Sequence, residues 1–167
     1  MAAKDVTVGR LGAEDAEAFH ALRIEGFSRH PLVFRYSPGE EAALSIERVR
    51  ARLASEHVVG AWVDGALAGI GGWSRFAGDK LRHKGLLWGM YVREEARGLG
   101  LGDRIVQALV DDARRHVELL LLTVVADNAR AVRLYERWGF EPYGTEPRAV
   151  KDGGRYLDEL LMVKRLT

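Results

Sequence analysis

The chain has 167 residues, 47% of them hydrophobic and 29% charged, which suits one globular domain with a sizeable core. Its 25 lysines and arginines nearly cancel 24 aspartates and glutamates, so no strong field points to nucleic acid or to a membrane surface. The absence of cysteine excludes disulfides, thiolate metal sites and a cysteine nucleophile.

The opening "MAAKDVTVGR" carries no apolar leader segment, and nowhere do about 18 apolar residues run together. No secretory leader and no membrane span are expected, and the expected setting is cytoplasmic. "VTVGRL" (6–11) alternates and reads as a first strand. Ala16, Phe19, Leu22, Ile24 and Phe27 then fall near helical spacing. "SRHPLVFRYSPGEE", with two prolines, reads as loop. The spacing of Leu44, Ile46, Val49 and Leu53 predicts a second helix over 41–54, with Arg48, Arg50 and Arg52 on its solvated face.

The period then changes. "HVVGAWVDGALAGIGGWSRF" is two apolar runs joined by Asp64-Gly65, a dipeptide favoured in type I′ hairpins. "GLLWGMYV" (85–92) is a further strand and runs into the turn Arg97-Gly98-Leu99-Gly100-Leu101-Gly102. Leu101, Ile105, Val106, Leu109, Val110 and Ala113 line one helix face. "ELLLLTVV" (118–125) is continuously apolar, as in a strand covered on both faces. Asp127-Asn128 caps a last helix, "NARAVRLYERWGF". Two closing strands, near 140–147 and 155–165, flank "KDGG". The order is β-α-α-β-β-β-α-β-α-β-β, without repeats or linkers, and predicts one mixed α/β domain over 1–167.

A strand that ends in a glycine turn at a helix N-terminus is either an anion site or a strand-to-helix turn that needs positive φ. Its unpaired amides point outward, the helix dipole favours negative charge, and glycine lets a phosphate come close. The spacing fails G-x-G-x-x-G, because Asp103 stands three residues after Gly100, and "GDR" replaces the P-loop's G-K-[ST]. Arg93, Arg97 and Arg104 surround the turn, but Glu94, Glu95 and Asp103 nearly cancel them. The backbone amides would therefore carry the binding.

Two motifs together resemble the GNAT superfamily of acetyl-CoA-dependent N-acetyltransferases. Arg97-Gly98-Leu99-Gly100-Leu101-Gly102 matches its [RQ]-x-x-G-x-[GA] pyrophosphate motif. "NARAVRLYERWGF" matches N-x-x-A-x-x-L-Y-x-x-x-G-F at Asn128, Ala131, Leu134, Tyr135, Gly139 and Phe140. The resemblance implies a central, mostly antiparallel, splayed sheet of six to seven strands with about four helices on both faces. It implies that acetyl-CoA is the donor substrate and is held by the 97–102 turn amides. Backbone at Met90 and Val92 would take the pantetheine arm, with Asn128 beside it and Tyr135 near the sulfur. By the residues alone, Asn128 is equally a helix cap and Tyr135 a packed core residue. The acceptor would be a primary amine of a small molecule or protein, acetylated by direct attack in a ternary complex. A non-catalytic CoA-binding module of the same fold is the alternative, and family habit allows a homodimer.

Attack on a thioester needs a neutral amine. An amine of pKa ≈ 10.4 is neutral in about one molecule in 2,500 at pH 7, a cost near 4.6 kcal/mol, whereas an α-amine costs about 1 kcal/mol. Tyr135 is the expected general acid for the leaving thiolate, a transfer uphill by roughly 2 kcal/mol at ordinary pKa values. No carboxylate lies in 86–92, where some family members carry a glutamate. Glu25 is the tentative base; Asp158 or Glu159, on opposite faces of the last strand, and His83 are the others considered. Trp62, Trp73, Trp88, Phe76 and Tyr91 would line an acceptor cleft or pack in the core. The histidines lack metal-ligand spacing, and no metal is expected.

Overall fold

The computed structural model describes residues 2–167. The elements run β1 (Val6–Arg10), α1 (Ala16–Arg29), α2 (Pro38–Ala42), α3 (Ile46–Ser55), β2 (His57–Val63), β3 (Ala66–Arg75), β4 (Lys84–Val92), α4 (Leu101–Ala113), β5 (Leu119–Val125), α5 (Ala129–Arg137), β6 (Glu141–Asp152) and β7 (Arg155–Arg165). Seven strands form one sheet in the order β1-β2-β3-β4-β5-β7-β6. Every pairing is antiparallel except β4 with β5.

Among the described residues five helices form, beside the about four expected: the helix expected over 41–54 runs from Ile46 to Ser55, and a short α2 forms largely within the stretch read as loop. Ser45 accepts a hydrogen bond from the Arg48 amide at 3.3 Å and starts α3. Ser37 and Glu40 form a reciprocal capping box that starts α2. Two hydroxyl caps eight residues apart thus override the continuous apolar spacing. The β2–β3 hairpin turns at Asp64 (φ 50°) and Gly65 (φ 84°), as a type I′ turn requires.

The sheet separates two cores. On one side α4 and α5 bury Ile105, Val106, Leu109 and Tyr135 against Leu120, Leu122 and Met162. On the other, α1 and α3 bury Phe19, Leu22, Val49 and Leu53 against Val58, Ile70 and Tyr91. The continuously apolar β5 is fully covered only on the α4 side, since Leu121 and Thr123 are half-buried. Helix α1 lies close on β4: a Cβ at Gly26 would stand 3.0 Å from the Tyr91 ring.

Two features open the sheet. β4 and β5 pair only from Lys84↔Leu119 to Leu86↔Leu121; beyond these residues the strands part. β4 also carries a one-residue bulge, since Ile70↔Tyr91 and Gly72↔Trp88 leave one extra residue on β4. Gly89, at φ 70°, sits in that bulge. The extra residue breaks the alternation: Leu87, Met90 and Val92 face the α4 core, while Trp88 and Tyr91 face the α1 core.

Candidate functional site

The gap between the ends of β4 and β5 continues into a cleft of about 680 Å³ that reaches the turn before α4. Four elements build it: β4 from Leu87 to Val92, the Arg97–Gly102 turn, the Thr123–Val124 end of β5, and α5 with Asn128. Residues 30–34, after α1, bring His30, Val33 and Phe34 over the cleft. Every cofactor-binding residue expected from the sequence except Leu99 lines this one cleft; Leu99 is exposed beside it.

The turn is open toward the cleft. Arg97 donates its amide to the Glu94 carbonyl at 3.1 Å, but among the described residues the Gly98, Leu99 and Gly100 amides make no backbone bond. Those of Leu101, Gly102 and Asp103 fall in the first turn of α4, where helix geometry supplies no acceptor. Six consecutive amides thus end at one helix N-terminus. Gly98 (φ 84°) and Gly100 (φ 73°) have open space where a Cβ would stand. Gly102 serves a different purpose: its φ is ordinary, and a Cβ there would meet Leu134 of α5 at 3.3 Å.

The side-chain field around the turn is more positive than the sequence tally suggests. Glu94 faces His30 and Arg97, and Glu95 pairs with Arg29. Burial works against ionisation of Asp103, yet hydrogen bonds from Arg137 and Trp138 hold its carboxyl below the usual range. Arg104 points away, toward the Val6 carbonyl. Three arginines unforeseen in the sequence reading, Arg130, Arg133 and Arg137, line the cleft from α5. Among the described residues neither Arg130 nor Arg133 has a carboxylate partner. Their i, i+3, i+7 spacing was the signal that would have found them.

Met90 and Val92 present backbone to the same cleft. The Arg93 amide donates to the Ala68 carbonyl of β3 at 2.9 Å. In an antiparallel ladder the direction alternates, so Val92, and Met90 beyond it, turn their N–H and C=O toward the splayed side. Asn128 caps α5, its Oδ1 accepting from the Ala131 amide at 3.3 Å, and stands on the cleft wall. Tyr135 is 6% exposed and packs edge-on against Phe140, yet reaches the cleft wall. Burial alone pushes its phenol well above the ordinary value.

The carboxylates considered as bases are dispersed. Glu25 accepts from the Tyr91 hydroxyl and from Arg93 Nε, both at 3.1 Å, behind the cleft wall rather than on it. Burial, then the Glu25 contact, raises the Tyr91 phenol. Asp158 accepts from the Arg148 amide at 2.8 Å on the exposed side of β7. Glu159 is buried on the other face and held by Arg35. His83 lies outside, with Arg75, Arg82 and Arg115. Of the aromatic residues considered, Trp88 and Tyr91 line the cleft and Trp73 is core.

One cluster joins residues that spacing kept apart. His57, Asp112 and His116 bring ligand atoms within 4.8 Å of one another. Asp112 already accepts from Trp73 Nε1 at 2.9 Å and Arg115 at 2.7 Å, while the His57 ring stacks on Trp73. It lies apart from the cleft, at the start of β2 and the end of α4.

Residues 19–140 match the model of the acetyltransferase (GNAT) family. The L-methionine sulfoximine/L-methionine sulfone acetyltransferase of Pseudomonas aeruginosa is 34% identical over 98 residues, 57% of this chain and 54% of that protein. The match thus spans about half the length of the curated relative. Among solved structures, an acetyltransferase of the GNAT family from Streptococcus pneumoniae superposes with a TM-score of 0.87 at 22% identity, covering 98% of this chain and 100% of that one. A phosphinothricin acetyltransferase from Sinorhizobium meliloti, solved in complex with AcCoA, gives 0.82 at 20% identity over 96% and 88% of the two chains.

Proposed function

The chain belongs to the GNAT acetyltransferase family, and from that premise we propose that it transfers the acetyl group of acetyl-CoA to the α-amine of a small amino acid. One observation supports this most: the open amides of the 98–103 turn, the outward-facing backbone of Met90 and Val92, and Tyr135 share a single cleft at the point where β4 and β5 part. In this reading the turn amides hold the pyrophosphate, with Arg130 and Arg133 adding positive charge. The pantetheine arm pairs with Val92 and Met90 as a strand would. The bulge at Gly89–Met90 brings backbone N–H groups to the thioester oxygen, where negative charge develops.

The amino-acid class rests on the relative's acceptors and on the cost of deprotonation. An α-amine reaches its neutral form for about 1 kcal/mol, so a site whose lining carboxylate, Asp103, stands at the turn and is held by Arg137 and Trp138 still serves it. Glu25, engaged by Tyr91 and Arg93, enters as a positioning residue for Tyr91 rather than as the base. The neutral amine attacks the thioester carbon, the tetrahedral intermediate collapses, and the C–S bond breaks. Tyr135 gives its proton to the departing sulfur and recovers one from the amine nitrogen through solvent. Burial makes the phenol a weaker acid, but it raises the thiolate's proton affinity in the same pocket, so the difference between them decides the cost. A cytoplasmic setting and a homodimer belong to the same proposal.

Thermal shift with acetyl-CoA tests it. At about 100 times its Kd the ligand adds about 2.7 kcal/mol, or roughly 5–11 °C in Tm for a chain of this size. An unchanged Tm counts against any CoA site. The missing β4 carboxylate favours one second reading, a CoA-binding module without turnover. It predicts the same stabilisation but no CoA release with any amine.

A further inference from the structure

The α1–α2 segment does more than cover the cleft mouth. Phe34 packs near Tyr91 of β4, with ring centroids 6.3 Å apart. The next residue, Arg35, reaches the far side of the split and grips Glu159 of β7 through Nε at 2.9 and 3.0 Å and through Nη2. Nη2 also meets Glu146 of β6 at 3.4 Å. Glu159 is 3% exposed, whereas the Arg35 side chain is about half exposed. Arg35 Nη1 has no partner among the described residues. Nε and Nη2 are thus engaged, and Nη1 alone is open.

The strand order places this pair across the split from the bulge. Leu86 and Leu121 are the last paired residues of β4 and β5; three and four residues on in β4 come Gly89 and Met90, and four on in β5 comes Val125, on the two sides of the split. The β7 partner of Val125 is Glu159. Leu122 and Val124 face the α4 core, so by alternation Val125 and its partner Glu159 face the α1 side. Arg35 and Glu159 therefore lie across β5 from the bulge, on the face opposite the CoA cleft.

We propose that Arg35, positioned by Glu159, binds the carboxylate of the acceptor and so selects α-amino acids, an assignment that rests on the acetyl-transfer reading above. The cluster sets one cation against two carboxylates, so a simple anion gains little there. A zwitterion differs: its ammonium form is drawn in by Glu159 and Glu146 on approach, and its carboxylate takes Nη1. In an α-amino acid both groups hang on one carbon. With the carboxylate seated on Arg35, the neutral amine one carbon away is no longer held by those carboxylates and can turn to the split between β4 and β5.

The test compares an L-amino acid with its carboxamide at saturating acetyl-CoA, in wild type, Arg35→Ala, Arg35→Lys and Glu159→Gln. Wild type should favour the free carboxylate by about 10- to 100-fold in kcat/KM, the value of a charge-assisted hydrogen-bonded contact. Both Arg35 variants should lose that preference through a higher KM for the amino acid, with the carboxamide rate and the KM for acetyl-CoA unchanged. Glu159→Gln should fall between, raising KM while kcat holds. Arg35→Lys keeps a cation on Glu159, so a folded variant is in hand if Arg35→Ala leaves Glu159 too destabilised. Equal losses on both substrates, or a wild type indifferent to the carboxylate, overturn the assignment. Turnover of polyamines alone overturns it and leaves acetyl transfer standing; acetyl-CoA binding without turnover of any amine overturns both.

Discussion

Replacing Gly100 by alanine separates what the turn does for folding from what it does for binding. Gly100 sits at φ 73° with nothing within 4 Å of an added Cβ, so the folding cost is conformational alone. A non-glycine residue in the left-handed region costs about 1–2 kcal/mol, or roughly 2–8 °C in Tm for a chain of this length. In the proposed reading, the added methyl also stands beside the 98–103 amides that hold the pyrophosphate. Losing even one charge-assisted hydrogen bond there is worth about 1.5–3 kcal/mol, a loss of about tenfold or more in acetyl-CoA affinity. Gly102→Ala is the control. Its φ is ordinary, its Cβ meets only the flexible end of Leu134, and alanine gains up to about 1 kcal/mol of helix propensity. Calorimetric titration with acetyl-CoA, beside the ligand-free melting curves, should show weak binding for Gly100→Ala and an undiminished Tm for Gly102→Ala. If Gly100→Ala melts early but binds acetyl-CoA as tightly as wild type, the turn is a folding device only and the phosphate reading fails.

Tyr135→Phe should lower kcat by about 100-fold or more, as for removal of a general acid, with acetyl-CoA affinity and Tm nearly unchanged; stopped-assay kinetics beside calorimetry check this. Glu41→Ala should destabilise by about 3–5 kcal/mol, because it strands Arg23, whose side chain, like that of Glu41, is 5% exposed; denaturant melts should show the double replacement Arg23→Met/Glu41→Met recovering most of the loss. Burial, outweighing the Asp112 contact, lowers the His57 pKa. The unfolded chain then binds more protons than the folded one between the two pKa values, so this stability is present above about pH 6.5 and lost as pH falls through that range. Tm measured across pH 5–8 should rise with pH, and His57→Gln should flatten that rise.

The parts of this fold readable from sequence were those set by local chemistry. Asp64-Gly65 specified its hairpin, and the glycine turn with "NARAVRLYERWGF" located the cleft. The break at Ala43–Ser45 escaped because apolar spacing carries across it, while the Ser45 cap that causes it is a single hydroxyl. The Gly89 bulge escaped because one inserted residue leaves no mark in an apolar run. Arg35 and Glu159 are 124 residues apart, and nothing local ties a loop arginine to a strand glutamate. His57 and His116 likewise meet only through the packing of α4 on β2. Long-range polar pairing is the information a single sequence withholds.

Mass spectrometry of the products tests acetyl transfer to an amino-acid amine most directly. Purified protein incubated with acetyl-CoA and a panel of L-amino acids should release CoA in step with an amino acid gaining one acetyl group, and Tyr135→Phe should slow both together. CoA release that no panel member matches, or acetyl-CoA binding with no acetylated product, would contradict it.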